Sequence, residues 1–581
     1  MNKLICSFLI YLLSNTLVLS QDILHDHPHE IKNSVFPDSS IAINIISSNQ
    51  NRFIELFGFK NRLHQYNYQA NYNKSNWMSY NFAPLFNTSD KLNLDSNTVS
   101  NFRYSFGLFE DHLLDINYNQ PINQSTILLD FSTTNSGNNY VHSAINNFRF
   151  RAAIIDTTGN FGYKIHFVNN RWKIKENGGI KDLNAIDQID DLSSVAYGSF
   201  LQTATNEIDY QKLDFNLFTH LFNFNKSDSS KSNYGINLLY GFDYLYEGYK
   251  FEMAERDIDS LFYSSTLIDT TYTRDSVGNR GWSPKLALNL STKRINVKVQ
   301  YKKDYFANEI LNEEQIDGNL DLSFKRFKLQ NNINYRVAGL WQNGYTIQSK
   351  LVLDSIGDGI LTTSFLQEDL LPSFFYQNYF GNHFSWNNQL NNQNVTELEA
   401  SYLYLPYHLK IGTRFSNYIN YTYLNELSSP SQEANVLISR IEIGKDIKLK
   451  NLSSFNEIGI QNSNNDVIRI PSFYLRTSQA FHYKILGMPI SSGFSLLYLT
   501  KHKGLAYNPN LRNYYLQNNQ NVGGFPLLDL FFGVKAGGAD LFVKIQNVLY
   551  SLGNRSDFLV YENVLTIPTM IRVGFNWKFS D

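Results

Sequence analysis

The chain has 581 residues, with 50 Lys and Arg against 52 Asp and Glu, a net charge of −2 and a single cysteine. That balance gives no footing to a polyanion partner such as nucleic acid, and one cysteine excludes both a disulfide framework and a Cys-based zinc site. Tyr (38) and Phe (43) are abundant although the mean hydropathy is −0.33, so the architecture must employ aromatic side chains without a large dry core.

Residues 1–20, MNKLICSFLIYLLSNTLVLS, combine Lys3, an apolar run from Leu4 to Leu13 and a small-residue site ending at Ser20. This is the layout of a secretory signal peptide cleaved before Gln21. Cys6 lies inside it, so the exported chain is expected to be cysteine-free. HDHPHE (25–30) clusters three histidines with two acids. Imidazoles and carboxylates bind Zn, Ni or Cu, but so short a tract reads better as a solvated tail, and no metal or other cofactor is expected. Residues 21–100 are irregular, and a periplasmic tail or plug with some early strands is expected there. After residue 20 no run approaches the ~18 apolar residues that a membrane helix needs.

From residue 101 onward the pattern changes. HLLDINYNQ (112–120), STILLDFST (125–133), FRFRAAI (148–154) and GYKIHFV (162–168) alternate apolar with polar side chains. Period two means a strand with one apolar and one polar face. KLALNLSTKRINVKVQYK (285–302) and LDLSFKRFKLQNNINYRV (320–337) each read as strands around tight turns. LFFGVK (530–535) and DLFVKIQN (540–547) flank AGGA, a turn suited to positive backbone angles. The best helical candidate is KDLNAIDQIDDLSS (181–194). The closing MIRVGFNWKFSD sets Ile571, Val573, Phe575, Trp577 and Phe579 on one face.

Connectors fall into two classes: turns of two to four residues, and long polar stretches at 169–210, 251–283, 354–394, 501–523 and 550–568. Short turns on one rim and long loops on the other are the signature of an outer-membrane barrel. In hydrocarbon every backbone polar group needs an internal partner, so a sheet spans a membrane only if it closes. The expected fold is therefore all-β, a transmembrane antiparallel β-barrel over residues 101–581. At roughly 22–30 residues per strand and connector, 16–22 strands are expected, with 18 as the best value.

Two segments go further. NNRWKIKENGGIKD (169–182) carries an ENGGI run after a strand, and FPLLDLFFGVKAGGADLFVKIQNV (525–548) precedes the closing strand. Together they resemble the putative porin family of Bacteroidetes outer membranes. Asp529, Phe542, Lys544, Asn547, Val548, Trp577, Phe579 and Asp581 stand at matching places, as does the Tyr507–Pro509 region. Gln546, where an acid is expected, and the turn Ala536–Ala539 depart from the family pattern. The resemblance implies export to the outer membrane of a Gram-negative cell, with outer-membrane lipid, lipopolysaccharide, the barrel-assembly machinery and small solutes as partners. It sets no oligomeric state. The function it implies is a channel for passive diffusion of small hydrophilic solutes. The rival is a plugged structural or interaction barrel that presents loops or docks envelope partners.

Alternation places Arg149, Arg151, Lys164, Lys298, Lys302, Lys328 and Arg336 in the lumen, with Lys544 and Arg572, against fewer acids, chiefly Asp115, Asp130 and Asp321. Charged rings in a wet lumen bias ion selectivity, here toward anions. The last strand, with its terminal aromatics, is the expected assembly signal and seam. Catalysis is not expected. His112 near Asp115 and Ser105, and His482 near Ser478, form no nucleophile motif. Asp182, Asp187, Asp190 and Asp191 lack the spacing of a calcium loop.

Overall fold

The computed structural model describes residues 98–580, apart from 109–110, 138–139, 157–160, 189–197, 224–234 and 256–261, together with strands at 53–56 and 59–65. Residues 1–20, where a signal peptide is expected, with Cys6, HDHPHE at 25–30, most of 21–100, and Asp190, Asp191 and Asp581 lie outside the described residues. Phe53–Leu56 and Phe59–Gln65 pair as a separate two-stranded ribbon.

The rest is one closed antiparallel ring of 22 strands. It begins with β1 (Val99–Gly107), β2 (Asp111–Ile122), β3 (Ser125–Ser136), β4 (Ile145–Asp156) and β5 (Phe161–Lys175). Three long strands follow, β6 (Thr205–Asn223), β7 (Gly235–Ala254) and β8 (Tyr272–Ser291). Next are β9 (Ile295–Phe306), β10 (Glu313–Phe324), β11 (Phe327–Gly339), β12 (Tyr345–Ile356), β13 (Gly359–Leu370) and β14 (Gln393–Tyr404). β15 (Leu409–Leu424), β16 (Pro430–Lys448), β17 (Leu452–Ser463) and β18 (Phe473–Ile485) continue the meander. β19 (Met488–Leu499), β20 (Pro526–Ala536), β21 (Ala539–Gln546) and β22 (Met570–Ser580) complete it. β22 closes on β1, from Val99 opposite Ser580 to Gly107 opposite Arg572.

Closure leaves no sheet edge, so the backbone of the wall is satisfied by neighbouring strands. The wall alternates as the pleat requires. On β4, Phe148 and Ile154 face out and are exposed, while Asn147, Arg149, Arg151 and Ala153 face in. The closing stripe Ile571, Val573, Trp577 and Phe579 is exposed on the outer face. No helix among the described residues is long and apolar enough to cross a membrane.

Connectors sort by rim. Two-residue turns at 123–124, 325–326, 357–358, 486–487 and 537–538 share one rim. The connectors 176–204, 255–271, 371–392, 500–525 and 547–569 all lie at the other.

The strand number corrects the expected 18. β5 runs on to Lys175, β6 starts at Thr205, and β8 starts at Tyr272, all inside stretches read as loop. Their outward side chains are polar there and Trp172, Ile174, Ile208, Phe251 and Met253 turn inward, so the apolar–polar alternation changes phase while the hydrogen-bonded ladder continues. β12 and β13 likewise occupy half of 354–394 around a two-residue turn. Of the helical candidate 181–194, the described part through residue 188 holds one turn, Leu183–Ile186, in which the Asp182 carboxylate accepts from the Asn184 and Ala185 N–H groups.

Candidate functional site

The lumen wall is polar and cross-linked. Asp130 pairs with Arg151, the residue opposite it on the next strand. Lys285 reaches Asp214 at 2.8 Å and Asp243 at 2.7 Å, and Lys164 approaches Asp214 at 3.8 Å. Lys302 bonds Asp304 at 2.7 Å, Arg336 bonds Glu313 at 2.9 Å, and Arg572 pairs with Asp111. On β14–β16, Glu399 and Arg414 pair, Arg440 lies 3.2 Å from Glu442, and Lys410 bonds the same carboxylate at 2.8 Å. Of the seven cations assigned to the lumen, Arg151, Lys164, Lys302 and Arg336 each pair with a carboxylate on the same or a neighbouring strand. Arg149, Lys298 and Lys328 make no ion pair among the described residues.

The family-like hairpin acquires a structural reason. The Asp529 carboxylate takes the Lys544 ammonium at 3.0 Å and accepts the Asn547 N–H at 2.8 Å. Asn547 has a left-handed backbone, φ 49°, and its side-chain amide donates to the Ile567 carbonyl at 2.6 Å. This knot turns the chain from the wall into loop 547–569. Phe542 lies inside over Gly574, where a Cβ would come within 2.6 Å of its ring.

At the long-loop rim the loops fold together across the mouth. Tyr140, Ile180, Ile186, Leu201, Tyr550, Tyr561, Val564 and Leu565 share one buried cluster with Trp172, Ile174 and Phe251 of the wall. The Tyr140 hydroxyl meets Tyr550 at 2.8 Å and donates to the Thr566 carbonyl at 2.7 Å. The ENGGI run sits at the crossing point. Gly178 and Gly179 have φ of +69° and +103°, and a Cβ on Gly179 would meet the Asn563 carbonyl oxygen at 2.9 Å. The Ile180 N–H donates to that oxygen at 2.8 Å, and the Asn177 carboxamide accepts from the Gly179 N–H at 3.0 Å.

Glu176, fully buried, binds this loop to the hairpin His502–Asn508/Asn513–Val522. Its carboxylate accepts from Asn206 at 2.8 Å and from the Tyr507 hydroxyl at 3.4 Å, with Arg512 at 3.9 Å. Asn510 donates to Asp275 at 2.7 Å, and Asp275 also receives the Asn382 N–H at 2.9 Å. Nearby, His383 stacks on Tyr263 and reaches Glu255 at 3.2 Å. Burial pushes the phenols of Tyr263 and Tyr379 well above their ordinary value, so they remain protonated. Four connectors are thereby tied into one polar-centred, apolar-walled cap.

The other sequence candidates disperse. His112 lies on the outer wall against the Tyr104 hydroxyl at 3.0 Å, while Ser105 and Asp115 point into the lumen. His482 bridges Ser491 and Ser453 at 2.9 and 3.0 Å, a cross-strand link with no acid in it. The Asp187 carboxylate accepts from the Ser556 hydroxyl and from its N–H at 3.1 Å. Among the described residues no group of three or more His, Cys, Asp or Glu stands ready for an ion.

The sequence reading did not pick out Arg512, Asn206, Asn510, Asp275 or Asn382. The signal available was that ENGGI and Tyr507–Pro509, some 330 positions apart, both belong to the family resemblance; here they meet.

The sequence profile described as "Putative porin" matches residues 96–581, the whole barrel. The chain belongs to that putative porin family. No curated protein sequence matches it. Among solved structures, this porin-family barrel is similar to the FrpB iron transporter of Neisseria meningitidis, with TM-score 0.55, 11% identity, 84% of this chain and 83% of that one covered. It is similar also to the ferric enterobactin receptor PfeA of Pseudomonas aeruginosa (TM-score 0.58, 8% identity, 84% and 82% covered). A third is the copper transporter OprC (TM-score 0.58, 10% identity, 83% and 80% covered). At such identities the likeness establishes the barrel fold.

Proposed function

We propose that this porin-family chain is an outer-membrane channel that passes small hydrophilic solutes, with the loop-built cap as its gate. The short-turn rim would then face the periplasm and the long loops the outside. One observation carries the reading. Below the cap, Lys328, Gln330, Asn332 and Lys350 point into the closed ring yet remain exposed, so the lower lumen is wet rather than packed. No reaction is needed; the lumen carries solute, and the cap decides access.

The plugged scaffold is the second reading, supported by the apolar core of the cap and by the likeness to iron and copper transporter barrels, whose 22-stranded class carries a plugged lumen. Planar-bilayer recordings separate the two. The purified protein is expected to show intermittent conductance steps, and Arg512→Gln, which leaves the Glu176 carboxylate without its cation, is expected to raise the open fraction. Silence from both proteins would leave the scaffold reading and defeat the channel.

A further inference from the structure

The register of β5–β8 divides their outer wall into rows. Ile165–Phe215–Phe242–Pro284 is followed by Phe167–Leu213–Tyr244–Trp282. The next row is Asn169–Gln211–Tyr246–Arg280, then Arg171–Asp209–Gly248–Gly278. Lys173–Glu207–Lys250–Ser276 and Lys175–Thr205–Glu252–Arg274 lie beyond. The apolar face therefore ends within one row, and the ladder continues for four more. Each row adds about 7 Å along the strand, so this wall stands well beyond the hydrocarbon on the long-loop side.

Those polar rows hold six cations, Arg171, Lys173, Lys175, Lys250, Arg274 and Arg280, against three acids, Asp209, Glu207 and Glu252. Glu252 is shared by Lys250 at 2.7 Å and Arg274 at 3.2 Å, so one carboxylate serves two cations. Lys175 and Arg280 make no ion pair among the described residues, and both are exposed. Gly248 and Gly278 lie side by side between Arg280 and the Lys250–Arg274 pair; the Tyr246 phenol lies over Gly248, and a Cβ at Gly278 would meet only the Glu247 carbonyl oxygen, at 3.9 Å. The result is a shallow trough with cationic walls, floored by the Tyr246 phenol over Gly248 and by the side-chain-free backbone of Gly278, one row above Trp282 and Tyr244. Elsewhere the wall differs: near their long-loop ends β14, β15 and β16 present Asn394, Asn417 and Asn435 outward, all uncharged.

Aromatic rings gather where hydrocarbon gives way to headgroups, so the trough lies at headgroup height. Guanidinium forks match phosphate geometry bidentately, and an excess of cations beside the acyl chains favours a ligand that is both anionic and membrane-held. We propose that the outer face of β5–β8 binds the phosphate groups of an anionic glycolipid of the outer leaflet, with Arg280 nearest the hydrocarbon and Lys250 and Arg274 above it. The inference rests on the outer-membrane orientation proposed above.

Full-length protein, stripped of lipid in mild detergent, is titrated with bis-phosphorylated lipid A and with its dephosphorylated form, and bound lipid is counted by native mass spectrometry. The phosphorylated form is expected to bind about ten-fold more tightly, the worth of one or two charge-assisted hydrogen bonds. Lys250→Gln/Arg274→Gln/Arg280→Gln is expected to abolish that preference. Lys448→Gln/Lys450→Gln, at the opposite rim, is expected to keep it. No preference in the wild type, an unchanged preference in the triple variant, or equal loss at the opposite rim would overturn the site. Displacement by millimolar inorganic phosphate would replace the glycolipid with a free-anion site. Conductance and surface labelling of the long loops are read on the same protein. A silent but correctly oriented barrel that keeps the preference defeats the channel alone, whereas loops labelled from the periplasmic side defeat this inference.

Discussion

Gly179 and His502 show how single residues hold the cap together. Gly179 combines a backbone angle of +103° with a carbonyl oxygen 2.9 Å from where its Cβ would stand. Gly179→Ala is expected to cost the cap about 1–3 kcal/mol through backbone strain, read as faster proteolytic nicking of loop 547–569 with the heat-modifiable barrel intact. An unchanged nicking rate would show that the crossing does not depend on this contact. His502 lies among Leu497, Leu499, Val522, Phe525 and Leu559, and its Nδ1–H donates to the Thr500 carbonyl at 3.0 Å. Burial holds its pKa below the ordinary 6.5, the hydrogen bond opposing the shift only in part. An imidazole that resists protonation when packed but accepts it when released stabilises the packed hairpin fully above about pH 6.5 and progressively less below it. The open fraction is therefore expected to rise between pH 7 and pH 5, and His502→Gln is expected to flatten that profile. A wild-type profile already flat would remove His502 as the cause.

At the level of strands, the seam is the element most exposed to a single change. Val573 faces out between Val543 on β21 and Phe106 on β1, in line with the apolar belt. Val573→Lys is expected to cost about 2–4 kcal/mol near the midplane, measured as lost outer-membrane level and lost heat-modifiability. Normal levels of the variant would place Val573 outside the hydrocarbon. The same strand shows what sequence could and could not reveal. Its alternation is complete from Ile571 to Phe579, because one face meets an apolar medium and the other a polar one. β6 shows the limit: Leu213, Phe215 and Leu217 alternate with their apolar side outward, but beyond the belt Glu207, Asp209 and Gln211 face out while Ile208 turns inward to the cap, so the apolar face switches sides and the outward pattern breaks. Strands continue where the pattern stops, which is why the ring holds more of them than the alternation suggested.

For the whole molecule, the cap was less legible than the wall. Its tyrosines and asparagines occur in stretches that read as polar loop, and their burial follows from long-range meetings such as Glu176 with Tyr507. No local period encodes such a meeting. Charge was legible in kind but not in consequence: Arg151, Lys164, Lys302 and Arg336 were placeable in the lumen, whereas their neutralisation by Asp130, Asp214, Asp304 and Glu313 depends on which strands pair. In the channel proposed above, Arg149, Lys298 and Lys328 would be the candidate pore-lining cations left to bias permeation. Only a weak anion preference is expected from reversal potentials under a salt gradient, and clear cation selectivity would sink it.

The junction of β1 with β22 also has a consequence in time. It joins residues 99 and 580, so the ladder that closes the ring is the most non-local contact in it. Chain entropy makes such a contact late, and the earlier hairpins form from neighbours a few tens of residues apart. Until Met570–Ser580 is delivered, β1 and β21 are raw edges able to pair with any other strand. A ring closed in this way stays an unfinished sheet for nearly the whole of its assembly, and its risk of aggregation is concentrated in the interval before its last eleven-residue strand arrives.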